Sequence, residues 1–479
     1  MRNRVTPHNA SARPRAAGTL QRNTTPAAGA GKKRRGGLLL TLMGWVILVS
    51  NTVPFNVFDE ARLTPVAEGA FGVNVPARII KLTLLFFSAV FVVRNWASMV
   101  ALTKQLNRFF IAFLVLVPLS ILWSISPGDT IARFVTIMSI LMVWCAVCVA
   151  SWEPQRFQNL MRPILTVLIL GSMVFAWTSP LAIEVGEGTL KDAWRGLAFQ
   201  KNGFGTLASI AFIFWVHAWL ARQANTWMAI FLAGCSAYCV FMSRSSTALL
   251  STIFVFVFLL LLLRAPTALR RAMPYMVAGF ATVVVTYAVI ILRVVPGLDI
   301  LLTPVMAITG KDMTFSNRSA IWDVIKEHIQ YSPLLGSGYG AYWIGAIPSS
   351  PSYQFLARLY FYPNQAHNGY LEMINDLGYI GLMVLLGYLI WYLRQALYLW
   401  RFDRNQAALY MAIFFQQAIM NLSESLWLDI DAGFAFTLMT FATAALARSV
   451  VNPREGVETQ GGSNPIPRAA ARVLARARR

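Results

Sequence analysis

The stretch STALLSTIFVFVFLLLLLR, from Ser246 to Arg264, carries no charge before its last residue and is long enough to cross a bilayer as one helix. Its apolar residues cover every face of a helix and leave no polar stripe for water. Such a segment belongs to a large buried core or to a membrane span, and the rest of the chain decides between them. Of the 479 residues, 57% are hydrophobic and only 13% charged, with a mean hydropathy of +0.56, which excludes an ordinary soluble domain.

Comparable runs lie outward from it. They fall near 37–56, 77–94, 108–126, 131–151, 161–179, 203–221 and 225–243 on one side, and near 273–295, 374–399, 405–422 and 429–448 on the other. The fold class is therefore all-α and polytopic, with about twelve transmembrane helices. An even count puts both termini on one side. Most of the 41 Lys and Arg lie in loops on the side of the N-terminus, and most of the 20 acidic residues lie opposite. Basic loops stay in the cytoplasm, so both termini are expected there, and the formal net charge of +21 reflects topology with no need for nucleic acid. Residues 1–36 read as a disordered basic tail with no cleavable signal, 37–450 as the membrane domain, and 451–479 as a second basic cytoplasmic tail. The pairs Cys145 and Cys148, and Cys235 and Cys239, sit inside apolar runs without His or carboxylate beside them, and read as packing residues.

The opposite, outer face collects the chemistry. One connection, about 296–373, is far longer than the others, and a loop of that length in a compact bundle is functional or disordered. Within it, NRSAIWDVIKEHI from Asn317 to Ile329 places apolar residues at 321, 322, 325 and 329, the spacing of a helix with one buried face, with Asn317 as a cap. Arg318 then lies in the first turn, where the helix dipole disfavours a cation. A bound anion would account for it, and so would pairing with Asp312 or Asp323.

The segment SPLLGSGYGAYW (Ser332 to Trp343) follows, with three glycines suited to tight turns and close backbone approach. It lacks the Lys-Ser/Thr of a nucleotide loop. Its aromatics, with Tyr353, Phe355, Tyr360, Phe361 and Tyr362, suit either a platform for sugar rings or a wedge at the membrane interface. In NQAHNGYLE (Asn364 to Glu372), His367 sits in a dense polar cluster at a membrane mouth, where an imidazole near its ordinary pKa of about 6.5 serves as a general base or as a structural ring. Asn368 belongs to that cluster, and Glu372 is placed to orient the ring or to balance an arginine.

Two further cations precede or join apolar runs on the same face. Arg195 lies in DAWRGLAFQKN (Asp192 to Asn202), together with Lys201. Arg244 lies in a very short turn, SRSST (Ser243 to Thr247), that is expected to aim it into a polar cavity. Each alone reads as an interfacial anchor, but together with Arg318 and His367 they read as an anion site. Glu424 with Asp429 and Asp431 forms a rival, a carboxylate set able to hold a divalent metal or merely to cap helices and pair with arginines.

In order and spacing, SRSSTALL (Ser243 to Leu250), RSAIW (Arg318 to Trp322), GSGYG (Gly336 to Gly340) and HNGYLE (His367 to Glu372), followed by Gly378 and Gly381, resemble the O-antigen ligase and Wzy-type polysaccharide polymerase family, most of all its exopolysaccharide polymerases of succinoglycan type. The resemblance runs from about Arg195 to Glu424. It implies a GT-C-type bundle in the bacterial inner membrane, with short helices in a long periplasmic loop and a periplasmic active site. It also implies metal-independent, inverting glycosyl transfer without a cofactor, from an undecaprenyl-diphosphate-linked glycan donor to a glycan acceptor, amid membrane lipids and alongside chain-length regulator and export proteins. By the resemblance His367 is the base, while Arg195, Arg318 and Arg244 hold the diphosphate. Lys201, Asn368, Glu372 and Glu424 would support them. The other activities open to these residues are ligation of the glycan to lipid A core or protein and, in a different class, a polysaccharide-lipid transporter or flippase. Transport would place charge along the bundle midplane, whereas here it gathers at one face.

Overall fold

A computed structural model describes residues 28–60, 75–153, 155–185, 191–266, 272–291, 318–345, 348, 350–428 and 433–451. The expectations for Asn317, for residues 292–316, for Asp429 and Asp431, and for most of the two tails lie outside the described residues. The described chain is helical, apart from a single isolated bridge between Ile183 and Trp194. This is the form that satisfies every backbone N–H and C=O within an apolar segment.

The helices are α1 (Ala28–Ser50), α2 (Val75–Arg94), α3 (Trp96–Gln105), α4 (Arg108–Leu119), α5 (Pro127–Ala150), α6 (Arg156–Thr178), α7 (Lys201–Leu220), α8 (Thr226–Met242) and α9 (Ser246–Arg264). They continue as α10 (Met273–Ile291), α11 (Arg318–Ile329), α12 (Gln354–Leu359), α13 (Gly369–Leu399), α14 (Arg404–Met420) and α15 (Phe434–Val451). Each of the twelve apolar runs overlaps a helix, but they are unequal. Six of the described helices, α2, α5, α6, α7, α9 and α13, are long and apolar enough to cross a membrane. The run expected as a straight span at 108–126 is half of a pair, α3 and α4, bent by 104°. Asn107 makes that corner: its side chain caps α4 by accepting from the N–H groups of Phe109 and Phe110, and its amide donates to the Tyr388 carbonyl at 2.9 Å. The apolar parts of α1, α8, α10 and α15 are shorter. Helix α1 also begins ahead of the expected boundary at 37. The chain is a multi-pass membrane protein.

At the centre is α14, buried on all sides and packed against α7, α9 and α13. Of its polar side chains, Gln406 pairs with Gln158 on α6 at 2.7 Å, and Gln417 donates to Gln416 at 2.6 Å, while Gln416 Nε2 and Gln417 Oε1 are buried without a partner among the described residues. Large rings fill the remaining space, with Trp144 stacked on Phe441 at 4.0 Å between α5 and α15. Cys145, Cys148 and Cys239 are buried, free thiols within this packing, and Cys235 is free and partly buried.

The long loop is tied to the bundle through a break in α13. At Gly378 the backbone leaves the helix, with φ 65° and ψ −167°, a conformation that suits glycine. The segment after α11 fills the break. Ser337 and Gly338 donate to the carbonyls of Asn375 and Asp376, while Tyr379 donates back to the Pro333 carbonyl. The contact is so close that a Cβ on Gly378 would lie 2.2 Å from the carbonyl carbon of Leu334. Above this junction, Ile321, Trp322, Ile325 and Ile329 of α11 pack with Tyr342 and Phe355 into a small second core. The loop is thus a folded cap on one end of the bundle.

Candidate functional site

The turn from Gln365 to Asn368 is held from every side. Asn368, fully buried, caps α13 by accepting from Tyr370 and Leu371, and Gly369 follows it because a Cβ there would lie 2.0 Å from the Asn421 side-chain oxygen. The Glu372 carboxylate accepts from the Ala366 N–H at 2.6 Å, the Trp343 indole at 2.5 Å and the Ser425 hydroxyl at 2.9 Å. Trp322 of α11 donates to the Ala366 carbonyl at 3.0 Å. These bonds keep His367 in the left-handed region, at φ 50°, which an L-residue adopts only when its surroundings dictate it. Glu372 therefore holds the backbone next to His367, whereas the sequence had offered it as a partner of the ring or of an arginine.

The ring meets a different carboxylate. Glu424, 3% exposed after the end of α14, receives four side-chain donors. Its Oε1 accepts from Arg318 Nη2 at 2.6 Å and Asn202 Nδ2 at 2.8 Å, and its Oε2 faces Gln365 Nε2 at 3.0 Å and His367 Nδ1 at 3.3 Å. Burial alone would push the Glu424 carboxyl up, but the Arg318 guanidinium and the His367 ring outweigh it and hold its pKa below the ordinary carboxylate value. An ionised carboxylate only accepts, so His367 donates through Nδ1, and Nε2 of the neutral ring keeps its lone pair. Among the described residues Glu424 is the sole hydrogen-bond partner of Arg318, through Nη2, so the rest of that guanidinium fork is uncommitted.

Arg195 lies on the other side of the first turn of α7. It is 7% exposed, donates from Nε to the Leu181 carbonyl at 3.1 Å and stands 3.7 Å from Glu184. Burial lowers its pKa and Glu184 opposes that, and a guanidinium remains charged at neutral pH. Glu184 also accepts from the Lys201 N–H at 2.6 Å. Adjacent residues of one helix start, Lys201 and Asn202, thus join the Arg195–Glu184 pair to the Glu424 cluster, at the end of α7 where the helix dipole is positive.

Arg244 is placed differently. At φ 49° in the turn between α8 and α9, its side chain is 47% exposed and stands 3.8 Å from the exposed Asp192. It lies at the rim instead of an enclosed cavity, since so short a turn leaves the chain at the surface. The glycine segment is also committed, because the N–H groups of Ser337, Gly338 and Gly340 go to Asn375, Asp376 and the Asp376 carboxylate. Tyr339, Tyr342, Phe355 and Tyr362 are buried, with Trp343 stacked on Phe355 at 5.3 Å, whereas Tyr360 is 89% exposed and Tyr353 and Phe361 are partly so. No group of three or more potential metal ligands gathers among the described residues.

Sequence reading gave no role to Asn202, Gln365 or Glu184. For Asn202 and Gln365 the one signal was adjacency, since Asn202 follows Lys201 and Gln365 stands two residues before His367; Glu184 carried none.

Comparison with known proteins bears on the same region. A family model described as O-antigen ligase matches residues 228–386. The chain is also 28% identical over 284 residues to the exopolysaccharide production protein ExoQ of Rhizobium meliloti (strain 1021), a match covering 57% of this chain and 61% of that protein. The chain thus spans about three fifths of the length of the curated relative. The segment that is similar to the O-antigen ligase family holds Arg244, Arg318 and His367.

Proposed function

We propose that the protein polymerises oligosaccharide repeat units carried on undecaprenyl diphosphate, by metal-independent inverting glycosyl transfer at the periplasmic face of the bacterial inner membrane. The observation that carries this reading is the single buried carboxylate, Glu424, that binds both His367 and Arg318 at the positive end of α7. Neutral His367, fixed by Glu424 through Nδ1, takes the acceptor hydroxyl proton on Nε2 while that oxygen attacks the anomeric carbon from the face opposite the diphosphate. The bond from the anomeric carbon to the diphosphate oxygen breaks, and its electron pair leaves on the phosphate. The imidazolium formed is stabilised by Glu424. Negative charge grows on the leaving diphosphate, and the guanidinium groups of Arg195 and Arg318, held in a low-dielectric site, favour that transition state over the ground state. Arg244, exposed at the rim, contributes from further out.

Similarity to the exopolysaccharide production protein favours polymerisation, and the O-antigen ligase model keeps ligation as the second reading. The surface glycans of a strain lacking the protein decide between them. Single short units on the surface mean lost polymerisation. Unattached lipid-linked chains mean lost ligation, and labelled lipid that fails to cross the membrane, with glycan length unchanged, means that the protein is a transporter.

A further inference from the structure

The segment that closes the α13 break carries an apolar surface that the site does not use. Tyr331 and Leu334 are strongly exposed and Leu335 partly so, and no charged residue occurs between Tyr331 and Tyr342. Beside them lies the turn after α4, where Leu122 is 82% exposed and Ile125 also faces outward. The two pieces are bonded together, Trp123 Nε1 to the Leu335 carbonyl at 2.9 Å and Ile125 N–H to the Ser337 carbonyl at 2.9 Å. The patch is therefore a fixed surface built from two loops.

It is also continuous with the sides of two packed helices. On α4, Val115 and Leu119 precede Leu122 at helical spacing and are exposed. On α13, a helix long and apolar enough to cross the membrane, Tyr379, Ile380 and Met383 are exposed next to the break that Pro333 and Leu334 fill. Among the described residues, charge lies at the edges of this surface: Asp129, four residues after Ile125, is exposed, Arg133 packs against Gly340, and Asp323, Lys326 and Glu327 of α11 face outward with Arg358. An exposed apolar surface that runs from a span into a loop, with charge at its edge, suits the boundary between acyl chains and headgroups.

We infer that this two-loop collar is immersed in the outer leaflet, so that the periplasmic cap rests on the membrane through Tyr331, Leu334, Leu335, Leu122 and Ile125. The inference rests on α13 spanning the membrane and, for the choice of leaflet, on the periplasmic side proposed above; it is independent of glycosyl transfer. The collar fixes the height of α11, and with it Arg318, near the level of lipid headgroups.

Photocrosslinking of the full chain in phospholipid vesicles tests this, with p-benzoylphenylalanine introduced at Leu334, at Met383 as the span reference and at Lys326 as the aqueous reference. Mass spectrometry is expected to find phospholipid adducts at 334 within about twofold of the yield at 383, and few at 326. A Leu122→p-benzoylphenylalanine variant gives an independent reading if the Leu334 variant does not fold. Absence of lipid adducts at both positions, or crosslinks to a second copy of the chain or to another protein, overturns the proposal.

Discussion

Replacing Glu424 with glutamine keeps the shape of the side chain and removes its charge. In the native protein that carboxylate is buried, 2.6 Å from Arg318 and 3.3 Å from His367. Breaking a fully buried ion pair costs about 3–5 kcal/mol, chiefly through the charge left behind. Arg318 keeps 17% of its side chain exposed, and an amide oxygen can still accept from it, so the expected loss is roughly 1–3 kcal/mol after allowance for solvent screening. The pH dependence has a definite sign. A carboxyl whose pKa lies below its ordinary value of 4.5 stabilises the folded state above that value and loses the contribution as pH falls through the folded-state pKa. The gap in unfolding temperature between wild type and Glu424→Gln, measured in detergent or nanodiscs, should be present at pH 7 and close as the pH falls below about 4.5. Chain elongation should fall by roughly 10²-fold or more, because the amide no longer fixes the His367 proton on Nδ1. A double variant with His367→Ala should be little slower than His367→Ala alone, since the two groups act as a unit. Wild-type stability together with a wild-type elongation rate in Glu424→Gln would refute this reasoning.

Arg318→Lys retains the charge but loses the planar fork, so donor use should drop by roughly tenfold or more while folding is kept, as read from initial rates against donor concentration. Gly378→Ala should destabilise by at least about 1–3 kcal/mol from the left-handed backbone alone, with more from the clash against Leu334, and its thermal unfolding would show the loss. Arg244→Ala should change rates far less than Arg195→Ala, because the Arg244 pair is exposed and screened while Arg195 is buried; matched rate assays at two salt concentrations check this. EDTA should leave elongation unchanged. A loss restored by added divalent metal would direct attention to Asp429 and Asp431.

The apolar helices were legible because apolar composition is a local signal that each segment carries by itself, though only six of the described ones are long enough to be spans on their own. Their breaks were less so: the corner at Asn107 depends on a carbonyl far along the chain, and the break at Gly378 on a loop that fills it. Within the site, Arg318 and His367 stood out as charge in unusual company. Their shared partner did not, because Glu424 lies 57 residues beyond His367 and only the return of α14 brings them together. Glu372 shows the converse error. Its closeness in sequence to His367 suggested contact with the ring, but α13 turns it toward the backbone of Ala366 and the indole of Trp343. The glycine segment was read correctly as a place of close backbone approach, and which backbone it approaches could come only from the fold.

The central claim is that His367 accepts the proton of the attacking hydroxyl in a glycosyl transfer. The direct measurement is incubation of purified protein with a lipid-diphosphate-linked oligosaccharide in EDTA, followed by separation of the glycans by length. A ladder of longer chains from the wild type, with His367→Ala folded but reduced by about 10²–10⁴-fold, is the predicted result. An unchanged ladder from His367→Ala would contradict the account.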